Sequence, residues 1–168
     1  MDLLNVFYFF LPAYIANMAP VIAKKLNLPL DIPISKNKLG KNKTYRGLVS
    51  GYLASLLFIY TQKEFLFLQS NIINYNQENI FILSFLMTLG ALGGDALKSF
   101  FKRKKGIKSG QPWFPFDQID LILGAIACTL PFYNLPAKET LIVLIITPLL
   151  HFLTNFISYK LKIKDVWW

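Results

Sequence analysis

A chain of 168 residues with 54% hydrophobic and only 16% charged side chains carries more apolar surface than one aqueous core of that size can hide. A domain of about 150 residues still leaves roughly 30% of its unfolded-chain surface against solvent. A mean hydropathy of +0.43 excludes a disordered chain, and the single Cys128 excludes a disulfide framework or a cysteine-rich metal centre, which leaves an integral membrane protein carrying a net charge of +9.

A hydrocarbon layer of about 30 Å needs about 20 apolar residues at 1.5 Å rise each, and five such stretches are predicted. The first, Leu3 to about Ala23, holds no charged side chain and stops at Lys24 and Lys25. Asp2, where a basic leader region would stand, and the length of the apolar run distinguish it from a signal peptide. In the loop that follows, Gly40-Lys41-Asn42-Lys43-Thr44-Tyr45-Arg46-Gly47 sets cations, a hydroxyl and flexible backbone ahead of a helix N-terminus. Such a place favours an anion, although a solvated basic loop has the same composition, and the spacing of a Walker P-loop is missing.

The second stretch runs from Gly47 to about Leu68, with Lys63 and Glu64 near its far end, where long side chains reach the headgroups. The third covers roughly Asn79 to Phe101 and contains Asp95. Gly90, Gly93 and Gly94, with Ala91 and Ala96, give it a small face for close helix approach, as Gly47 and Gly51 do for the second. The fourth, about Ile119 to Leu135, is short and carries Pro131; Cys128 within it is read as packing. The fifth covers about Thr140 to Tyr159, where His151 and Asn155 form an i, i+4 pair read as a helix hydrogen bond, with Ser158 as the alternative partner. The predicted fold is all-α, about five transmembrane helices in one domain over residues 1–168.

Charge sets the orientation. Sixteen of the 18 basic residues fall in the first loop, around the third-to-fourth connection and in the tail, while the other side keeps Lys63 and Lys138 against Glu64, Glu78 and Glu139. The positive-inside rule therefore places both basic loops and the C-terminus in the cytoplasm and the N-terminus outside. Trp167 and Trp168 suit an aromatic anchor at the cytoplasmic interface. The run Lys102-Arg103-Lys104-Lys105 invites a nucleic-acid reading, but topology and anionic headgroups, at about 1 kcal/mol per basic residue, account for it without one.

Topology does not account for the acids embedded among these cations. An ionised Asp95 inside an apolar helix costs about 3 kcal/mol on insertion scales, so it should be paired with Lys98 or Lys102, bound to metal, or turned to an aqueous cavity. Ser99 at i+4 and Lys102 at i+7 share its face, with Arg103 beside them. Asp117 is placed to cap the fourth helix. Asp120, three residues on, has no such explanation. Two carboxylates on one helical face and a third from another helix make an oxygen-ligand site suited to Mg²⁺.

Asp95-x3-Ser99-x2-Lys102-Arg103, then Lys108, then Pro115-x-Asp117-x2-Asp120 resembles the C-terminal signature of the phosphatidate cytidylyltransferases. The short chain, Asn17-x2-Pro20, the 40–47 loop, Asp117-Gln118-x-Asp120 and the aromatic C-terminus are more specifically similar to the CDP-archaeol synthase family. That resemblance implies a five-helix membrane enzyme that transfers the cytidylyl group of CTP to an isoprenoid-ether lipid phosphate with Mg²⁺, releasing pyrophosphate at the cytoplasmic face. It places Asp95, Asp117 and Asp120 as metal carboxylates and, with Lys102, as the catalytic set. Ser99, Lys102, Arg103 and Lys108 fall in the nucleotide- and phosphate-binding run, and Lys43, Thr44 and Arg46 in the loop that helps hold CTP. The longer cytidylyltransferases carry an Asp after the distal Lys and a His-Gly-Gly before the first signature Asp. Here Ser109 and Trp113-Phe114-Pro115-Phe116 stand instead, which favours an ether lipid over phosphatidate. The expected partners are CTP, the lipid phosphate and membrane lipids, with no nucleic acid. The rivals are a CDP-diacylglycerol synthase, a CTP-dependent lipid kinase, which would leave CDP, and a non-enzymatic lipid carrier with no metal requirement.

Overall fold

A computed structural model describes residues 3–65, 72–108 and 111–163. Five helices follow in chain order: α1 (Leu3–Lys25), α2 (Tyr45–Phe65), α3 (Ile80–Lys104), α4 (Phe116–Thr129) and α5 (Ala137–Lys160). Among the described residues the remaining regular pairing is one isolated bridge, Pro33 with Thr44. The expected Trp167 and Trp168 anchor, the end of the second stretch at Leu68 and the departure at Ser109 lie outside the described residues.

Local chemistry sets the helix ends. Asn79 Oδ1 accepts the N–H groups of Phe81 (3.0 Å) and Ile82 (3.3 Å) and so caps α3. At its other end Lys102, Arg103 and Lys104 complement the helix dipole, and Gly106 follows at φ +75°. Thr44 Oγ1 takes the Gly47 N–H at 3.2 Å at the start of α2. The expectation that Asp117 caps α4 is not met. Pro115 holds the cap position with no side-chain bond, and the Asp117 carboxylate turns sideways to the Trp113 N–H instead.

α1, α3 and α5 are long and apolar enough to cross a bilayer. α4, with 14 residues, extends only about 21 Å at 1.5 Å per residue, short of the roughly 30 Å of hydrocarbon. The apolar run read as continuing to Leu135 leaves the helix beyond Thr129, just ahead of Pro131, whose ring nitrogen has no hydrogen to offer. Leu53, Leu57, Phe85, Leu89, Ile145 and Leu149 expose between 48% and 68% of their surface. That outward apolar belt requires lipid around it rather than water.

The tightest packing joins α3 to α4. A Cβ on Gly124 would sit 2.0 Å from the Gly90 carbonyl oxygen, and one on Gly94 would sit 2.2 Å from that of Asp120, so both helices need glycine where their backbones meet. Gly93, expected on the same face, has nothing within 4 Å of such a Cβ and is not part of this contact. Gly51 allows α2 the same approach to the Ala16 carbonyl of α1. A dry core of Val6, Phe9, Phe10, Ile59, Leu83, Met87, Ile122 and Val143 fills the half of the bundle that contains the α1 N-terminus.

Candidate active site

The polar half begins where Gly94 brings α3 against the first turns of α4. Asp95, Lys98 and Lys102 lie on one face of α3, and Asp117 and Asp120 face them from α4. Lys98 Nζ is 3.0 Å from Asp95 Oδ1, 2.7 Å from Asp117 Oδ1 and 2.9 Å from Asp120 Oδ2. Lys102 Nζ reaches Asp117 Oδ2 at 2.8 Å and Oδ1 at 3.1 Å. From the α1–α2 loop, Lys43 pairs with the remaining oxygen of Asp95. Backbone donors finish the set, Trp113 N–H to Asp117 Oδ2 at 2.5 Å and Leu121 N–H to Asp120 Oδ1 at 2.6 Å. Three carboxylates and three ammoniums thus balance in charge, with the acids' side chains only 7–19% exposed. The cost of burying them is offset by this mutual pairing.

The cluster stands between two cavities. The smaller, about 300 Å³, has the three acids, Lys98 and Lys102 on one wall, and Asn17 of α1 with His151, Thr154, Asn155 and Ser158 of α5 on the other. The larger, about 760 Å³, is lined by Lys24, Lys25, Lys43 and Lys162 together with Asn42 and Thr44. Asp95 and Asn17 line both, so the Asp95 carboxylate marks the divide, one oxygen turned to Lys98 and the other to Lys43.

The expected residues separate accordingly. Lys43, Asp95, Lys102, Asp117 and Asp120 are brought together. Thr44 lines the larger cavity, although its hydroxyl also serves the α2 N-terminus. Arg46 is buried and committed elsewhere, donating to the Leu28 carbonyl at 2.9 Å and to Asp31 Oδ1 at 2.7 Å, which pins the loop that carries Lys43. Ser99 is buried and Arg103 half-buried, and neither lines these cavities. Lys108 is exposed, with its backbone N–H on Gln111 Oε1 at 3.0 Å.

Two features are not legible in the sequence alone. Lys98, expected as one of two ion-pair partners for Asp95, touches all three acids. The α5 residues His151, Thr154, Asn155 and Ser158 are spaced i, i+3, i+4, i+7 in an otherwise apolar helix, a polar stripe visible in the sequence whose target was not. Asn155 Nδ2 and His151 Nδ1 lie 3.3 Å apart, so the expected hydrogen bond forms within α5 and fixes the ring that borders the cavity.

The donor set suits a hard divalent cation, since Mg²⁺ takes one or two carboxylates and completes its shell from phosphate and water. Among the described residues no three acidic, His or Cys side chains already form a metal cage. The Lys98 ammonium occupies the point on which the carboxylates converge.

A family model described as CarS-like, CDP-archaeol synthase, matches residues 1–168. The CDP-archaeol synthase of Methanococcus maripaludis strain C5 is 37% identical over 181 residues, covering 100% of both chains. That of Pyrococcus furiosus is 34% identical over 171 residues, covering 99% of this chain and 98% of its own. A solved structure described as an intramembrane enzyme for archaeal membrane lipids biosynthesis superposes with a TM-score of 0.75 at 27% identity, over 92% of this chain and 94% of the other.

Proposed function

This chain belongs to the CarS-like CDP-archaeol synthase family, and from that membership we propose that its acid and lysine cluster is where CMP passes from CTP to an archaeol-type lipid phosphate. The protein is a membrane-embedded cytidylyltransferase of lipid biosynthesis; the division of labour among its residues is our reading, with 1–168 acting as one catalytic domain.

An oxygen of the lipid phosphate bonds to the α-phosphorus of CTP, and the bond from that phosphorus to the oxygen bridging to the β-phosphate breaks, so pyrophosphate leaves. A phosphate monoester loses its second proton near pH ~6, so the attacking oxygen needs no protein base at neutral pH. The barrier is instead the approach of two polyanions, and positioned cations lower it. The larger cavity, within the roughly 300–1,000 Å³ range of small-molecule sites, presents Lys24, Lys25, Lys43 and Lys162 to the triphosphate. The smaller one, walled by the α5 polar stripe, receives the lipid phosphate, with its tails directed outward past Met18 and Ile22 of α1. Lys102, braced on Asp117, lines the smaller cavity and clamps phosphoryl oxygens. Asp95, Asp117 and Asp120 would hold Mg²⁺, which when bound neutralises charge on the phosphates. The excess of cations at this end of the bundle supports a cytoplasmic site, on the side where CTP is found.

The observation that carries this reading is the convergence of carboxylates from α3 and α4 on one point between a basic cavity and a polar-walled one. Labelled CTP, Mg²⁺ and a panel of ether- and ester-linked lipid phosphates test it. CDP-lipid and pyrophosphate should form, with Asp95→Asn, Asp117→Asn and Asp120→Asn each nearly inactive. Full activity in any of these variants removes that residue from the site, and release of CDP instead of pyrophosphate replaces cytidylyl transfer with lipid phosphorylation.

A further inference from the structure

Lys98 lies outside the signature residues, yet its Nζ touches all three acids. An ammonium has three hydrogens to donate, and here three carboxylate oxygens stand at 2.7–3.0 Å to receive them. With Lys43 and Lys102 the cluster is neutral before any ligand arrives. Carboxylates so matched offer little to a divalent cation coming alone, and lysines so matched offer little to a triphosphate coming alone. When both come together, every ion pair can be exchanged for another, carboxylate to cation and lysine to phosphate, and Lys24, Lys25 and Lys162 of the larger cavity meet the excess negative charge that the metal and triphosphate bring.

We propose that Lys98 is the resident cation of the acid cluster, holding it closed in the unloaded protein and released only when metal and nucleotide load as one unit. The proposal rests on the metal-site reading above. The test is Mn²⁺ binding by electron paramagnetic resonance to the purified full chain, without lipid acceptor. Lys98→Gln should bind Mn²⁺ alone at least 10-fold more tightly than the unsubstituted protein, Lys98→Arg should not, and CTP should improve Mn²⁺ binding less in Lys98→Gln. Equal Mn²⁺ affinity in Lys98→Gln and the unsubstituted protein, with binding present in both, overturns the proposal and leaves the metal site standing. Mn²⁺ bound by none of them, with or without CTP, overturns both. Melting curves cover a variant that does not fold without metal. Restoration of the Lys98→Gln fold by Mn²⁺ is the same prediction read as stability, and a variant unfolded in Mn²⁺ and in chelator alike overturns it.

A second observation lies in the α1–α2 connection, on the outer side of the rim of the larger cavity. Leu26, Leu28, Leu30, Ile32 and Ile34 are exposed by 64, 44, 47, 58 and 37%. The segment is nonetheless held firmly. The Leu30 carbonyl accepts the N–H groups of Ile32 and Arg46, Tyr45 N–H reaches the Ile32 carbonyl, and Ile34 N–H that of Lys43. Leu30 sits at φ +68°, a strained conformation for a branched side chain that only a well-determined loop sustains. Exposed Lys24 and Lys25 precede the segment and exposed Lys36 and Lys38 follow it.

We infer that residues 26–32 are seated in the cytoplasmic leaflet, their aliphatic side chains among acyl chains and Lys36 and Lys38 on anionic headgroups. The test places single cysteines at Leu28, Ile32 or Asn37 in a Cys128→Ser background and labels them with a polarity-sensitive fluorophore in vesicles of phosphatidylglycerol and phosphatidylcholine. Labels at Leu28 and Ile32 should be quenched by brominated lipid and shielded from aqueous iodide at least fivefold relative to Asn37. Equal iodide quenching at all three overturns the inference.

Discussion

The two ends of the bundle are built on opposite principles. At the end holding the α1 N-terminus, Val6, Phe9, Phe10, Leu83 and Ile122 are fully or almost fully buried and the polar contacts are few, Tyr133 O–H to Glu78 Oε2 at 3.1 Å among them. At the other end, six charges meet beside two cavities and large side chains give way to glycine and short polar groups. The first end holds the helices together by apolar burial and can change its polar details cheaply. The second balances charge at the edge of open space, where neutralising one group alters chemistry more than packing. Stability and catalysis should therefore be separable by position.

The sharpest break would come from Asp120→Asn. Loss of one electrostatic contact of this kind lowers turnover on the order of 10²–10³-fold, about 3–4 kcal/mol in the transition state, and CDP-lipid formation at saturating CTP should fall by that much. The variant's fold should survive, because Asn is of the same size and Lys98 keeps Asp95 and Asp117. Phe9→Ala should do the converse, costing about 3–5 kcal/mol of stability in a denaturation series in detergent, while turnover per folded molecule below its transition stays within about twofold. If Phe9→Ala abolished turnover in folded protein, the two ends would be one cooperative unit.

The glycine contact between α3 and α4 joins the two regions, and Gly94→Ala should move both readouts at once. Its new Cβ meets the Asp120 carbonyl backbone, which cannot swing aside, so the helices separate. Overpacking of this sort costs about 1–3 kcal/mol. Asp120 moves with its helix and the acids no longer share Lys98, so turnover falls as well. Gly93→Ala, one residue away with no neighbour to meet, should leave both unchanged and serves as the control.

The same contrast explains how much could be read from sequence. Five helices follow from hydropathy because lipid-facing helices advertise their apolar residues. The end of α4 does not, because Leu130, Pro131 and Phe132 are as apolar in a turn as in a helix. Asp95, Asp117 and Asp120 were visible because a charge in an apolar stretch is costly enough to need a reason. Lys98 was hidden because its importance arises from three partners meeting in space. Only one of these, Asp95 at i−3, is near in sequence, while the other two depend on where the glycine contact sets α4. For Arg46 the family resemblance implies a place in the loop that helps hold CTP. Its pairing with Asp31 across 15 residues of irregular chain has no periodicity to reveal it.

The smallest effect tests the comparison from its quiet side. Tyr133→Phe removes one hydroxyl from the apolar end and leaves the ring against Phe9 in place, the centroids 5.3 Å apart. A hydrogen bond to a charged partner contributes about 1.5–3 kcal/mol at most, and a neutral one about 1 kcal/mol. Glu78 lies at the bundle end, only half-buried, so it can turn to water when the hydroxyl is gone. The expected loss is therefore about 1 kcal/mol of unfolding free energy, read from the shift of the denaturation midpoint, with CTP turnover unchanged. Glu78→Gln should cost no more, since the amide oxygen can still accept from Tyr133. A measurable fall in turnover from either change would mean that the outer loops transmit to the cluster through α3, whose capped start and charged end are the two regions compared here.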